Sequence, residues 1–276
     1  MKVERLRPIV EAVQRRAQER RRKSPMERLK RVVAQDLYRR ERVLNAFAKP
    51  GFHIIAECKR SSPSAGRIAC QAPEAERALK RDESRDWFER ADAYARGGAS
   101  AISVLTEQDH FDGSLEDLRT VEHVHLPRLR KDFLLDEGMV YETMPYGADM
   151  ILLLPCILEP GRLRALRTLA GELGLGVLIE AHDEEELELA IELEPELVGV
   201  NARDLTTFQV DLATVERLLP RIPDKLTRVA ESGVETIDDL KRVRDAGADA
   251  ALIGTTLMRA ADPAATLAGW KAALDG

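Results

Sequence analysis

The chain has 276 residues, 44% hydrophobic and 33% charged, the balance of a soluble globular protein long enough for one barrel-sized core. Three cysteines (Cys58, Cys70, Cys156) without paired spacing argue against a disulfide framework or a CxxC metal site, and the longest apolar stretch, 150–158, is too short to span a bilayer. No basic-then-apolar signal opens the chain, so a cytoplasmic location is expected. The net charge of −6 is uneven: residues 1–49 hold 16 Lys+Arg against 6 Asp+Glu, so the remainder carries −16.

That basic segment includes Arg20-Arg21-Arg22-Lys23, the charge of a polyanion contact. It also carries apolar residues at helical spacing: Leu6, Ile9, Val10, Val13 and Ala17, then Met26, Leu29, Val32 and Val33, then Leu37, Val43, Leu44 and Phe47. A nucleic-acid arm needs no such stripe. Residues 1–49 are therefore read as a helical extension packed on the rest, with solvated charged faces and no nucleic-acid partner.

Beyond Pro50 the pattern changes. Short runs rich in Val, Ile and Leu recur at 52–56, 101–105, 126–133, 150–154, 177–179, 197–200, 226–230 and 250–253, with amphipathic helical patterns between them. Gly98-Ala99, Gly147-Ala148 and Gly247-Ala248 each introduce a run, as glycine at a helix C-terminus would. Continuous apolar strands alternating with helices predict a parallel sheet buried on both faces. Eight such units predict a (β/α)₈ barrel over 50–276 with extra N-terminal helices, a single domain overall. No GxGxxG follows the first strand, which argues against a dinucleotide-binding sheet.

A barrel of this kind carries its functional groups at the C-terminal strand ends. The first run ends in Glu57-Cys58-Lys59, where alternation sends Glu57 and Lys59 to one side and Cys58, a packing thiol, to the other. The third ends in Arg130-Lys131-Asp132-Phe133, the fifth in Glu180, the sixth in Asn201 and Arg203. The seventh ends in Glu231-Ser232-Gly233 and the eighth in Gly254-Thr255-Thr256. Ser232, Gly233, Gly254 and Thr255 are the phosphate candidates, because loops after strands seven and eight frequently hold phosphate.

These residues also carry a resemblance. Ile55 to Ser64, Ser103 to Glu107, Phe111-Asp112-Gly113-Ser114, Arg130 to Phe133, Gly199 to Leu205, Ala230 to Gly233 and Leu252-Ile253-Gly254 resemble, in order, the motifs of the indole-3-glycerol phosphate synthase family. The similarity covers essentially the whole chain and looks like a stand-alone synthase without a fused isomerase. It implies ring closure, decarboxylation and dehydration of 1-(2-carboxyphenylamino)-1-deoxyribulose 5-phosphate to indole-3-glycerol phosphate, the indole-forming step of tryptophan biosynthesis, a carboxy-lyase reaction with no cofactor and no metal. By resemblance Lys131 is the general acid, Glu180 the base of the dehydration, and Glu57 and Lys59 complete the proton network. Lys59 also holds the substrate's negative charge. Ser62, Asn201, Arg203, Glu231 and Leu252 match substrate-contacting positions, and Phe111 and Phe133 would line the pocket for the aromatic ring. Which lysine acts in which step stays open. The expected partner is the phosphorylated small molecule, for a monomer that makes at most transient contact with other tryptophan-pathway enzymes.

Departures from the family pattern are a long, charged first connection (69–90), read as a surface extension, Ala65 where lysine is usual, Thr255-Thr256 where serines are common, and Pro155-Cys156 after the fourth strand. His123-x-His125 on one strand face lacks a third metal ligand. His182 beside a helix start is read as a surface residue, Asp183 as the N-cap and Glu184 to Glu188 as a solvated face. Two rival functions remain. One is a Schiff-base lyase or sugar-phosphate isomerase with Lys131 or Lys59 as amine nucleophile, the other a non-catalytic binder that keeps only the fold.

Overall fold

The computed structural model describes residues 4–24, 26–32, 38–63, 66–68 and 83–275. Among them, eight parallel strands close into a barrel: β1 (His53–Cys58), β2 (Ala101–Leu105), β3 (Arg128–Lys131), β4 (Met150–Leu153), β5 (Gly176–Ala181), β6 (Leu197–Asn201), β7 (Thr227–Glu231) and β8 (Ala250–Ile253). Each strand pairs with the next in sequence, and β8 returns to β1 with Ile55 opposite Leu252. Every strand falls on one of the eight apolar runs. Most of the runs lack polar alternation because one face fills the barrel and the other meets helices; β1, β2, β4, β5, β6 and β8 are buried at every residue. The (β/α)₈ expectation holds.

The helices that position the site are α1 (Arg7–Lys23), α2 (Met26–Val32) and α3 (Arg39–Phe47) ahead of the barrel, and α4 (Glu83–Arg96), α5 (Glu116–Thr120), α6 (Glu137–Thr143), α7 (Pro160–Glu172), α8 (Glu184–Glu192), α9 (Leu212–Leu218), α10 (Ile237–Asp245), α11 (Thr255–Arg259) and α12 (Pro263–Asp275) around and after it. Most of the first connection, 69–82, lies outside the described residues, as do Ser64, Ala65 and Cys70, so the surface extension expected there is described only from Glu83, where α4 begins.

The N-terminal helices grip opposite ends of the barrel. At its floor, Val43 of α3 is fully buried, with Cγ2 3.2 Å from where a Cβ on Gly176 would stand. Arg42 donates to Asp149 (2.5 Å) and Arg40 to Glu196 (2.5 Å), and those carboxylates also accept the Arg128 and Val177 backbone N–H groups. At the top, Leu6 directly ahead of α1 is buried, and α1 itself buries Ile9, Val13 and Ala17. Its basic face is answered by acids of the barrel: Arg16 by Asp109 (2.8 Å), Arg20 by Glu142 (2.5 Å) and Arg21 by Asp136. Leu44, placed in the apolar stripe by spacing, instead faces solvent; Val33, Leu37 and the Val32 side chain lie outside the described residues.

Candidate active site

Alternate strands of such a barrel contribute side chains to a common layer. At the C-terminal end the odd strands supply the charge: Glu57 from β1, Lys131 from β3, Glu180 from β5 and Glu231 from β7. The even strands supply Leu105, Leu152, Asn201 and Leu252. All of these line one cavity of about 690 Å³. Lys59, Ser62, Phe111, Phe133, Arg203, Ser232, Gly233, Gly254 and Thr255 complete the same wall, so every site residue singled out in the sequence meets there.

Lys131 is the hub. Its Nζ donates to Glu180 Oε2 at 2.5 Å and to Glu231 Oε2 at 2.9 Å. Lys59 pairs with Glu57 at 2.8 Å. Glu180 Oε1 accepts from Asn201 Nδ2 at 2.7 Å. Burial alone would lower the Lys131 pKa, but the charges of Glu180, Glu231 and Glu57 reverse this and raise it. The two carboxylates diverge. Burial would raise Glu180, yet Lys131 and His182 hold it well below the usual range. Burial and the Glu180 charge push Glu231 up to about 8. Only one of its oxygens is bonded; Oε1 is buried without a hydrogen-bond partner.

Two glycines make room for this cluster. A Cβ on Gly199 would strike the Glu231 carboxylate, and one on Gly254 would strike Glu57 and stand 2.8 Å from Lys59 Nζ. Directly after Glu231, Ser232 (φ 65°) and Gly233 (φ 79°) adopt successive left-handed conformations, an uncommon arrangement for serine. The α11 helix starts directly after Gly254 at the end of β8.

Sequence reasoning missed part of the wall. Leu6, just ahead of α1, and Ile9 within it reach the cavity as a roof, and Phe208 and Val210 reach it from the loop after β6, where Arg203 donates to the Phe208 carbonyl (3.1 Å). Glu107 also went unassigned. Its buried carboxylate accepts the backbone N–H groups of Asp109, His110 and Phe111, which fixes the loop that presents Phe111 at 6.1 Å from Phe133.

Three expectations need correction. His182 is not a surface residue: its side chain is 12% exposed and lies between Glu180 and Glu186. Glu186 does not belong to a solvated face but is buried in the first turn of α8, although Asp183 caps that helix as expected. His123 lies in a short 3₁₀ turn (Glu122–Val124) rather than on a strand and stacks on Phe88 at 3.6 Å, while His125 follows in a left-handed conformation.

The family model for indole-3-glycerol phosphate synthase matches residues 6–269. The chain belongs to the indole-3-glycerol phosphate synthase family. It is 46% identical over 214 residues to an indole-3-glycerol phosphate synthase of Exiguobacterium, covering 77% of this chain and 79% of that one. To the protein of the same name from Chromobacterium violaceum it is 44% identical over 220 residues, 78% of this chain and 76% of that one. Among solved structures, 3-hexulose-6-phosphate synthase from Salmonella typhimurium shares the fold (TM-score 0.59, 13% identity, 81% of this chain and 98% of that one). The matched range spans all eight strand ends.

Proposed function

We propose that this barrel converts 1-(2-carboxyphenylamino)-1-deoxyribulose 5-phosphate into indole-3-glycerol phosphate, carbon dioxide and water, with Lys131 and Glu180 as its central catalytic pair. The observation that carries the reading is one ammonium held between two buried carboxylates, 2.5 and 2.9 Å away, at the base of a partly apolar cavity. Ring closure needs the ketone oxygen polarised as the aromatic carbon attacks. An ammonium whose pKa is raised is a weak proton donor but a strong charge in a dry site, so Lys131 acts first by polarising that oxygen. Carbon dioxide then leaves and the ring regains planarity. Dehydration needs a base and a proton for the departing hydroxyl. Environments that push two carboxyls apart assign these roles: Glu180 stays ionised and serves as base, and Glu231, mostly protonated at neutral pH, sits beside Lys131 as a proton reservoir.

Binding follows the same geometry. The backbone around Ser232-Gly233 and Gly254-Thr255 takes the phosphate, with Lys59 adding charge. Phe111, Phe133, Leu6 and Ile9 enclose the aromatic ring, and Arg203, Asn201 and Ser62 hold carboxylate and hydroxyl groups. No helix among the described residues is long and apolar enough to cross a membrane. The reading keeps the enzyme cytoplasmic and monomeric.

The test is the rise in indole-3-glycerol phosphate fluorescence from purified wild type and Lys131→Ala. A metal-independent rise that falls by about 10²- to 10⁴-fold in the folded variant supports the reading. Unchanged turnover in the variant removes Lys131 from it, and trapping of a substrate adduct by borohydride would favour the Schiff-base alternative.

A further inference from the structure

We propose that His182 and Glu186 form a buttress that fixes the position and charge of the Glu180 carboxylate, which makes His182 a positioning residue of the reaction; the proposal rests on the reading of Glu180 as base.

The geometry is a row of three groups. His182 follows β5 two residues after Glu180, so both side chains leave the same side of the chain. Its Nε2 lies 3.1 Å from Glu180 Oε1, off the ideal hydrogen-bond direction, and its Nδ1 lies 3.0 Å from Glu186 Oε2. That Glu186 oxygen also accepts the His182 backbone N–H at 2.9 Å. Glu186 is itself anchored, because the Asp183 cap accepts its N–H at 2.8 Å. Glu186 is therefore a fixed post, and the imidazole is held between it and the site.

Two buried carboxylates facing the two nitrogens of one ring define its protonation state. A neutral imidazole offers one N–H donor and would turn a lone pair toward one of the carboxylates, whereas an imidazolium offers a donor to each. Other groups around the row do not replace that charge. Lys131 bonds the far oxygen of Glu180, Glu231 and Glu57 are further acids across the barrel, and Asp183 is an acid on the same loop. The Cys156 thiol after β4 packs nearby and stays protonated, its pKa raised by burial and by the Glu186 and Glu180 charges. Burial opposes the charged ring, but Glu180 and Glu186 prevail and push His182 up to about 9.

The consequence is chemical. While Lys131 is drawn to the substrate's ketone oxygen it neutralises Glu180 less, and a carboxylate left in a buried site would take up a proton. The imidazolium at Oε1 keeps Glu180 ionised and in place through that step, and it helps the proton leave again at the end of the cycle.

Two neutral variants test this, His182→Gln and Glu186→Gln, each assayed for kcat, KM and pH profile. Both are expected to lower kcat by about 10- to 100-fold with KM changed less than about 3-fold, the usual cost of removing a partner that orients a functional group. The acidic limb of the kcat/KM profile should move to higher pH in His182→Gln, which removes the positive charge beside Glu180, but not in Glu186→Gln, where the ring stays protonated at acid pH and only its position is loosened. A second readout needs no substrate. In NMR titration of the free enzyme, the His182 ring should titrate above the ordinary value of about 6.5 and drop in Glu186→Gln. Wild-type kcat in both variants with an unmoved limb in His182→Gln would overturn the proposal, as would a His182 that titrates at or below the ordinary value. A pair that only caps α8 would lower the melting temperature and leave the limb in place, which also refutes it. Wild-type turnover in Glu180→Gln would remove the base reading and this proposal with it, a failure the histidine titration tells apart from a failure of the buttress.

Discussion

Lys131 Nζ, at the end of β3, stands 2.5 Å from Glu180 Oε2 near the end of β5, and no strand neighbour separates them because alternate strands share a layer of the barrel interior. The pair joins charge to geometry: the lysine holds the carboxylate ionised and the carboxylate holds the ammonium in the cavity. Glu180→Gln keeps the shape and the Asn201 contact but removes the base. It should lower kcat by about 10²- to 10⁴-fold with a much smaller change in KM. Steady-state kinetics at a fixed pH decides this.

Glu231 makes a prediction about stability rather than rate. Burial and the Glu180 charge raise it from 4.5 to about 8, so between these values the native protein binds a proton that the unfolded chain has lost. Stability from this group is full below the unfolded value and declines as pH rises through the native one. Each unit corresponds to about 1.4 kcal/mol, a ceiling of roughly 5 kcal/mol for the whole shift. Glu231→Gln mimics the protonated acid and does not titrate. Its melting temperature relative to wild type should therefore rise between pH 5 and 9, by about 2 to 4 °C for each kcal/mol recovered. A constant difference across that range would refute the raised value.

The roof over the cavity yields a binding prediction. Leu6 and Ile9 close the apolar side from the start of α1 and the turn before it, and ion pairs with the barrel rim hold that helix in place. Leu6→Ala with Ile9→Ala removes apolar contact with the substrate's ring without touching the charged layer. The double variant should raise KM by about 10-fold and change kcat by less than about 3-fold. Arg16→Ala, which breaks a largely exposed pair, should leave the melting temperature close to that of the wild type. Equal losses in kcat and kcat/KM for the double variant would mean that the roof acts in the transition state instead.

The strands and most of the charged layer were legible because a buried parallel strand writes its length as an apolar run and because an ionisable residue stands at or near its C-terminal end. Glu57, Lys131, Glu180 and Glu231 each stand at or next to such an end. The roof was not legible. Helical spacing in α1 shows that Leu6 and Ile9 are buried but not that the cavity is what they cover. His182 was misread because a polar residue beside an N-cap normally faces water, and its two partners come from different elements. Glu186 was hidden in a run of acids. Its phase with the buried Leu187 and Ala190 was the available signal, and charge outweighed it. Phe208 and Val210 lie in a loop without periodicity, and their approach to the cavity follows from the Arg203–Val210 bridge, a tertiary contact.

Two glycines separate the site from the scaffold. A Cβ on Gly199 would run into Oε1 of the Glu231 carboxylate, whose other oxygen accepts from Lys131. Gly199→Ala should therefore displace Glu231 and lower turnover by at least about 10-fold. Gly176 lies at the other end of the barrel, where a Cβ would meet Val43 at 3.2 Å and Met150 at 3.3 Å, apolar neighbours that shift by a few tenths of an ångström. Gly176→Ala should cost about 1 to 3 kcal/mol of stability by overpacking and leave kcat near wild type. Measured together, melting temperature and kcat should move in opposite variants: rate in Gly199→Ala, stability in Gly176→Ala. A rate loss in Gly176→Ala would mean that the floor of the barrel is coupled to its catalytic end. Full activity in Gly199→Ala would show that the Glu231 carboxylate is free to move without consequence, against its place in the charged layer.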